Sequence, residues 1–63
     1  MQVMEIGTRI RYWDTDYPAL GTILRARIDG QGEDAEAEYL IRWDNDPDQE
    51  GPTWSWWMEI VPV

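Results

Sequence analysis

The chain is expected to be all-β, a small and strongly bent antiparallel barrel of four to five strands, and three observations carry that expectation. Tyr39-Leu40-Ile41-Arg42-Trp43 has the aromatic and β-branched content of a strand and runs at once into a hard turn signal, Asp44-Asn45-Asp46-Pro47. Several other short runs alternate apolar with polar residues, and none sustains a helical period. Asp29-Gly30-Gln31-Gly32 marks a tight reversal between two such runs.

The elements follow in order. Met1 to Glu5 is a lead-in. The first strand runs from Thr8 to Trp13. Ile6, Thr8, Ile10 and Tyr12 share its inner face, while Gly7, Arg9, Arg11 and Trp13 share the other. Asp14 to Ala19 is a loop in which Pro18 holds Tyr17 extended. The second strand spans Leu20 to Ile28, with Leu24, Ala26 and Ile28 inward and Ile23, Arg25 and Arg27 outward. Glu33 to Glu38 forms a solvated acidic arm that passes into the third strand at about Glu36. That strand carries apolar bulk on both faces, which suits a central position. After the long loop Asp44 to Pro52, a fourth strand runs from Thr53 to Met58. Trp54, Trp56 and Met58 lie on one of its faces, and Thr53, Ser55 and Trp57 on the other. A single helical turn is expected around Met58–Glu59. Ile60 to Val63 closes the chain as a short strand that Pro62 confines to an edge.

Sixty-three residues imply one domain, residues 1–63, near the lower size limit for independent folding. The chain has no Cys and no His, so neither a disulfide nor a thiolate or imidazole zinc site can form. Five Trp, three Tyr and the aliphatics must supply the core. Thirteen acidic residues against five Arg give a net charge of −8, which disfavours nucleic acid and anionic membranes. The arginines are interleaved along strands rather than gathered in a run, so no direct nucleic-acid or membrane contact is expected. The acidic surface suits a basic protein partner, or serves solubility alone. No apolar run approaches the length of a spanning helix, and the first residues lack a signal-peptide pattern. A soluble cytoplasmic protein is the expectation.

Gly7-Thr8-Arg9-Ile10 with a following aromatic, Gly21-Thr22-Ile23-Leu24, Tyr39-Leu40-Ile41-Arg42-Trp43-Asp44, Trp54 and Ile60-Val61-Pro62 together resemble a small SH3-like barrel of the Tudor-like or KOW-like kind. The chain is similar to small actinobacterial SH3-like proteins of unknown function. The presence of Arg without Lys or Phe resembles the coding bias of a GC-rich genome, such as an actinobacterium or one of its phages. Those families commonly turn tightly after the third strand, whereas Asp44 to Pro52 is longer and more acidic.

A meander brings the end of the first strand, the start of the second, the end of the third and the start of the fourth to one pole. There Trp13, Tyr17, Trp43 and Trp54 should gather with Asp14, Asp16, Asp44 and Asp46 as a partner-binding surface. The Tudor-like resemblance implies an aromatic cage for a methylated cation at Tyr12 or Trp13, Tyr17, Trp43 and Trp54, with an Asp as its polar member. Ring faces and carboxylates are the right chemistry for a cation. Tyr12, Trp43 and Trp56 can equally be core; Tyr17 and Trp54 are expected to be at least partly exposed. Asp44, Asp46, Asp48 and Glu50 alternate as in a calcium loop. Gln49 and Ser55 stand where that loop needs Gly and Glu, so a solvated loop and no metal is expected.

Without His, Cys or Lys, and with Ser55 the sole serine, no nucleophile–base system can be built, and neither catalysis nor a cofactor is expected. Three functions remain open. The first is a non-enzymatic interaction module for a basic protein partner. The second is an inhibitor that mimics nucleic acid through acidic residues 29–38 and 44–50. The third is a structural or assembly subunit, of a phage or a bacterium, acting as a homo-oligomer.

Overall fold

The computed structural model describes residues 3–63. Five strands form one antiparallel sheet: β1 (Arg9–Tyr12), β2 (Leu20–Asp29), β3 (Glu36–Trp43), β4 (Thr53–Trp56) and β5 (Ile60–Pro62). Their order is β4-β3-β2-β1-β5, so the sheet bends without closing and β4 and β5 are its two edges. Single 3₁₀ turns at Gly32–Asp34 and Trp57–Glu59 join β2 to β3 and β4 to β5, and no α-helix occurs among the described residues. The fold is all-β and barrel-like, as the alternating runs predict.

The core lies in the concavity of the bent sheet. Ile10 of β1, Ile23 of β2, Ala37, Tyr39 and Ile41 of β3 and Ile60 of β5 are buried, with Met4 and Trp43 packed against them. Tyr39 is fully enclosed, and its hydroxyl accepts a hydrogen bond from the Met4 backbone N–H at 3.0 Å. The lead-in thus caps a polar atom that the core could not leave unpaired. Pro62 sits on the edge strand β5, where its missing N–H disturbs no inner ladder.

Three local expectations are corrected. Ile6 does not join the inner row of β1 and is 70% exposed. The Thr8 N–H bonds the Glu5 carbonyl at 3.2 Å, and Gly7 takes a φ of 91°, so Ile6 stands at the corner of a tight turn. β1 accordingly starts at Arg9 and ends at Tyr12, one residue inside each expected boundary.

The second correction concerns the faces of β2. Ile23 pairs with Ile41, but the next pair is Arg25 with Leu40, which leaves Leu24 as a bulge. The extra residue resets the alternation. Ile23 before it and Ala26 and Ile28 after it all lie on the concave side, with Leu24 excluded from the row. A single unbroken phase for Leu20 to Ile28 had placed Ile23 outward; it is fully buried instead. Before the bulge β2 pairs with both neighbours, and beyond it with β3 alone.

The third correction is at β4. It ends at Trp56 rather than Met58, because residues 57–59 turn as a 3₁₀ segment toward β5. Ser55, not a Trp, faces Tyr39 and is buried. Trp56 lies on the convex face and is exposed, so it is not core.

Candidate functional site

The loop between β1 and β2 is built by its own first residue. The Asp14 carboxylate accepts the Asp16 N–H at 3.0 Å, and the Asp14 carbonyl accepts the Tyr17 N–H at 3.0 Å. This Asx-type turn lifts Tyr17 away from the backbone. Its ring is 66% exposed, yet it stands edge-on to Tyr12 with centroids 6.3 Å apart. Tyr12 also meets Trp43 edge-on at 6.4 Å and Trp13 at 6.0 Å. Tyr12 is therefore the hub of the aromatic pole.

Trp43 is fixed from the other side. Its indole N–H donates to the Thr53 hydroxyl at 3.0 Å, which ties the end of β3 to the start of β4. Tyr12, Tyr17, Ala19 and Trp43 line a shallow groove of about 290 Å³. A second hollow of about 270 Å³ adjoins it, sharing Tyr12, Tyr17 and Ala19 and lined also by Asp14, Pro18 and Leu20. Ala19, immediately before β2, lies at this pole as the meander predicts. Its small side chain leaves the space that the rings surround.

The eight expected contact residues are not all gathered. Tyr17 and Trp43 meet at the groove, whereas Asp14 lines the adjoining hollow, and Trp13 stands beside Tyr12, 54% exposed. Asp16 is exposed in the same loop. Trp54 is elsewhere. It pairs with Leu40 on the convex face, where the Arg27 guanidinium lies 4.0 Å from its ring centroid. Because alternation puts Thr53 inward and Trp54 outward, the first residue of β4 approaches the pole and the second does not.

Besides Asp14, which holds its own turn, two more of the expected carboxylates are committed to structure. Asp44 accepts a two-pronged contact from Arg9, at 2.8 and 2.5 Å. That hydrogen bonding holds the Asp44 carboxyl below its ordinary pKa and raises that of Arg9. Asp46 accepts the N–H groups of Glu50 and Gly51 at 3.1 and 2.8 Å, which closes the β3–β4 loop. No group of three or more acidic residues could hold a metal ion among the described residues.

Strand register adds a feature that the linear sequence conceals. Arg9, Arg11, Arg25, Arg27 and Arg42 pair with Thr22, Leu20, Leu40, Glu38 and Thr22 in turn, all on the convex face. The five arginines are thus gathered by alternation although they form no run. Arg9 is paired with Asp44 and Arg27 with Glu38. Asp29 and Glu36 share the same face, so it is a mixed-charge surface rather than a basic stripe. No helix of the described residues is long and apolar enough to cross a membrane.

Compared with known proteins, the chain matches no family model, and no curated protein or solved structure matches it significantly.

Proposed function

We propose that the protein is a non-enzymatic interaction module that receives a cationic side chain of a basic protein partner in the Tyr12–Tyr17–Trp43 groove. The observation that carries this reading is the convergence of two rings, edge-on, upon Tyr12 at 6.3 and 6.4 Å, with Asp14 lining the adjoining hollow that shares Tyr12 and Tyr17. Ring faces attract a cation, and an adjacent carboxylate adds charge without filling the space. The net charge of −8 would draw a basic partner at a distance. An SH3-like, Tudor-like barrel is supported by the strand order β4-β3-β2-β1-β5, the bulged second strand and the 3₁₀ turn before the last strand.

Titration with a short arginine- and lysine-rich peptide, followed by Trp fluorescence, tests the proposal. Tyr17 is the best position to change, because it is exposed and its removal leaves the core intact. A cation over a ring is worth about 0.5–2 kcal/mol, so Tyr17→Ala should weaken binding by roughly 2- to 30-fold. Equal affinity for wild type and Tyr17→Ala would remove the groove from the binding surface.

A second reading, mimicry of nucleic acid, is favoured by the arm between β2 and β3, where Asp29, Glu33, Asp34 and Glu36 are all exposed. Salt separates the two. Mimicry weakens steeply as salt rises, whereas contact with aromatic rings persists at moderate ionic strength.

A further inference from the structure

We infer that the open edge of β4 is a self-association surface on which two copies pair β4 with β4 about a two-fold axis. The two edges of the sheet are treated differently. β5 has three residues and carries Pro62, both of which blunt an edge against further pairing. β4, Thr53-Trp54-Ser55-Trp56, carries no charge, no proline and no bulge. Exposed apolar side chains continue along it: Trp54, Trp56, Trp57 and Met58 are 39%, 36%, 43% and 54% exposed. An edge of this kind invites pairing unless something covers it.

The backbone states the register. The Trp56 N–H points away from β3, toward the Glu59 carboxylate at 3.4 Å. Backbone groups alternate in direction along a strand, so the Trp54 N–H and C=O face the open edge as well. With Ser55 on the two-fold axis, Trp54 of one copy stands opposite Trp56 of the other. The N–H and C=O groups of each such pair then exchange two hydrogen bonds, four across the interface, of which the two donated by Trp56 replace its present contact with the Glu59 carboxylate. Ser55 is small enough to meet its own copy at the axis, and the Trp rings of the two chains stack on the convex face.

Two further observations favour a second copy over a different protein. The strand itself is uncharged and sets no like charges of the two copies directly opposite; the Glu59 carboxylate lies at its end and turns outward when the Trp56 N–H takes its new partner. The chain also has no cysteine and only six buried core residues among those described, and domains of this size commonly gain stability by association. The exposed parts of the three Trp and Met58 amount to roughly 400 Å² per copy, about 800 Å² in total, on the scale of aromatic side-chain areas. That lies below standard interface size and describes a dimer in exchange with monomer.

The test is sedimentation of the full chain from micromolar to millimolar concentration, with amide hydrogen exchange at the same concentrations. The mass should rise toward two copies, and protection of the Trp54 amide should rise with it. Added salt should strengthen the association, since it screens repulsion between two acidic chains. The double variant Trp54→Lys, Trp56→Lys should stay monomeric with an unchanged far-UV spectrum. Tyr17→Ala should associate as wild type does, which keeps this surface distinct from the groove. A single-copy mass at millimolar concentration would overturn the inference. So would a dimer that survives both lysines, or a Trp54 amide whose exchange ignores concentration. Should the lysine variant fail to fold, the wild-type exchange data decide alone.

Discussion

Gly21 is where the sheet and the groove depend on the same few ångströms, and Gly21→Ala measures that dependence. Gly21 lies in β2 between Ile10 of β1 and Trp43 of β3. A Cβ built there would stand 2.6 Å from Ile41 Cγ2, 2.9 Å from the Arg42 carbonyl oxygen and 3.2 Å from Trp43 Cε3. Apolar atoms meet comfortably near 3.5–4.0 Å, so the methyl must gain about 1 Å from Ile41. Ile41 is fully buried, and the Arg42 carbonyl is backbone of the central strand, so neither neighbour can step aside. Overpacking of this kind costs about 1–3 kcal/mol. The reduced freedom of the unfolded chain returns about 0.4–1 kcal/mol. The net loss is therefore about 1–2 kcal/mol. For a domain of this size each kcal/mol moves Tm by roughly 4–8 °C, so the midpoint should fall by about 5–15 °C. Thermal unfolding followed by circular dichroism reads this directly. Trp43 emission should shift as well, because the new methyl presses on its ring and thus on the groove wall. A variant with unchanged or raised Tm would refute the close packing of β2 against β3 at this point.

Two further outcomes follow from named contacts. Thr53→Val keeps the shape of the side chain but removes the acceptor of the Trp43 indole N–H. Leaving that half-buried donor unpaired should cost about 1–3 kcal/mol and loosen one wall of the groove, so affinity for a basic peptide should fall while sedimentation stays that of wild type. Asp44 has a carboxyl held below its ordinary pKa by hydrogen bonds from Arg9, so its contribution to stability is present above the ordinary carboxylate range and is lost as pH falls through its lowered value. The Tm difference between wild type and Asp44→Asn should be constant near neutral pH and shrink below about pH 4. A difference that persists in strong acid would assign the role of Asp44 to its shape rather than its charge.

Much of the fold is legible from residue pattern. The β3 strand stands where Tyr39 to Trp43 and the following Asp-Asn-Asp-Pro place it, and Pro62 falls on an edge. What the pattern conceals is a change of phase. Ile23-Leu24-Arg25-Ala26-Arg27-Ile28 reads as a strand in either register, and a bulge at Leu24 has no compositional mark. One extra residue then reverses the face assigned to Ile23. The same difficulty misplaces Trp54. The strand was expected to bring its Trp to the pole, but Thr53 occupies that approach because its hydroxyl can bond Trp43. The gathering of five arginines on one face is likewise a property of register between strands, which no single stretch displays. The carboxylates divide for a local reason. Asp14 and Asp46 bond backbone N–H groups within their own loops, a habit of Asp that composition announces, whereas Asp44 finds Arg9 across 35 residues of chain.

Most of the aromatic side chains of this small sheet lie outside its core. A chain of this length without disulfides would be expected to hide its largest side chains. Yet among five Trp and three Tyr, only Tyr39 is buried, and aliphatic residues supply the rest of the core. Trp13, Tyr17, Trp54, Trp56 and Trp57 are all exposed. Their placement is not scattered. One set surrounds Tyr12 at the β1–β2 loop, and the other runs along β4 and the turn after it. Each set has its own support, an Asx turn beneath Tyr17 in one case and an uncharged open edge in the other. Exposed rings contribute little to folding, and these two sets are the surfaces that the two proposed contacts would use. The Trp43–Thr53 hydrogen bond links them, since it joins the groove wall to the first residue of the open strand. Pairing at β4 would hold Thr53 more firmly and thereby stiffen Trp43, which makes the groove of a dimer better organised than that of a monomer.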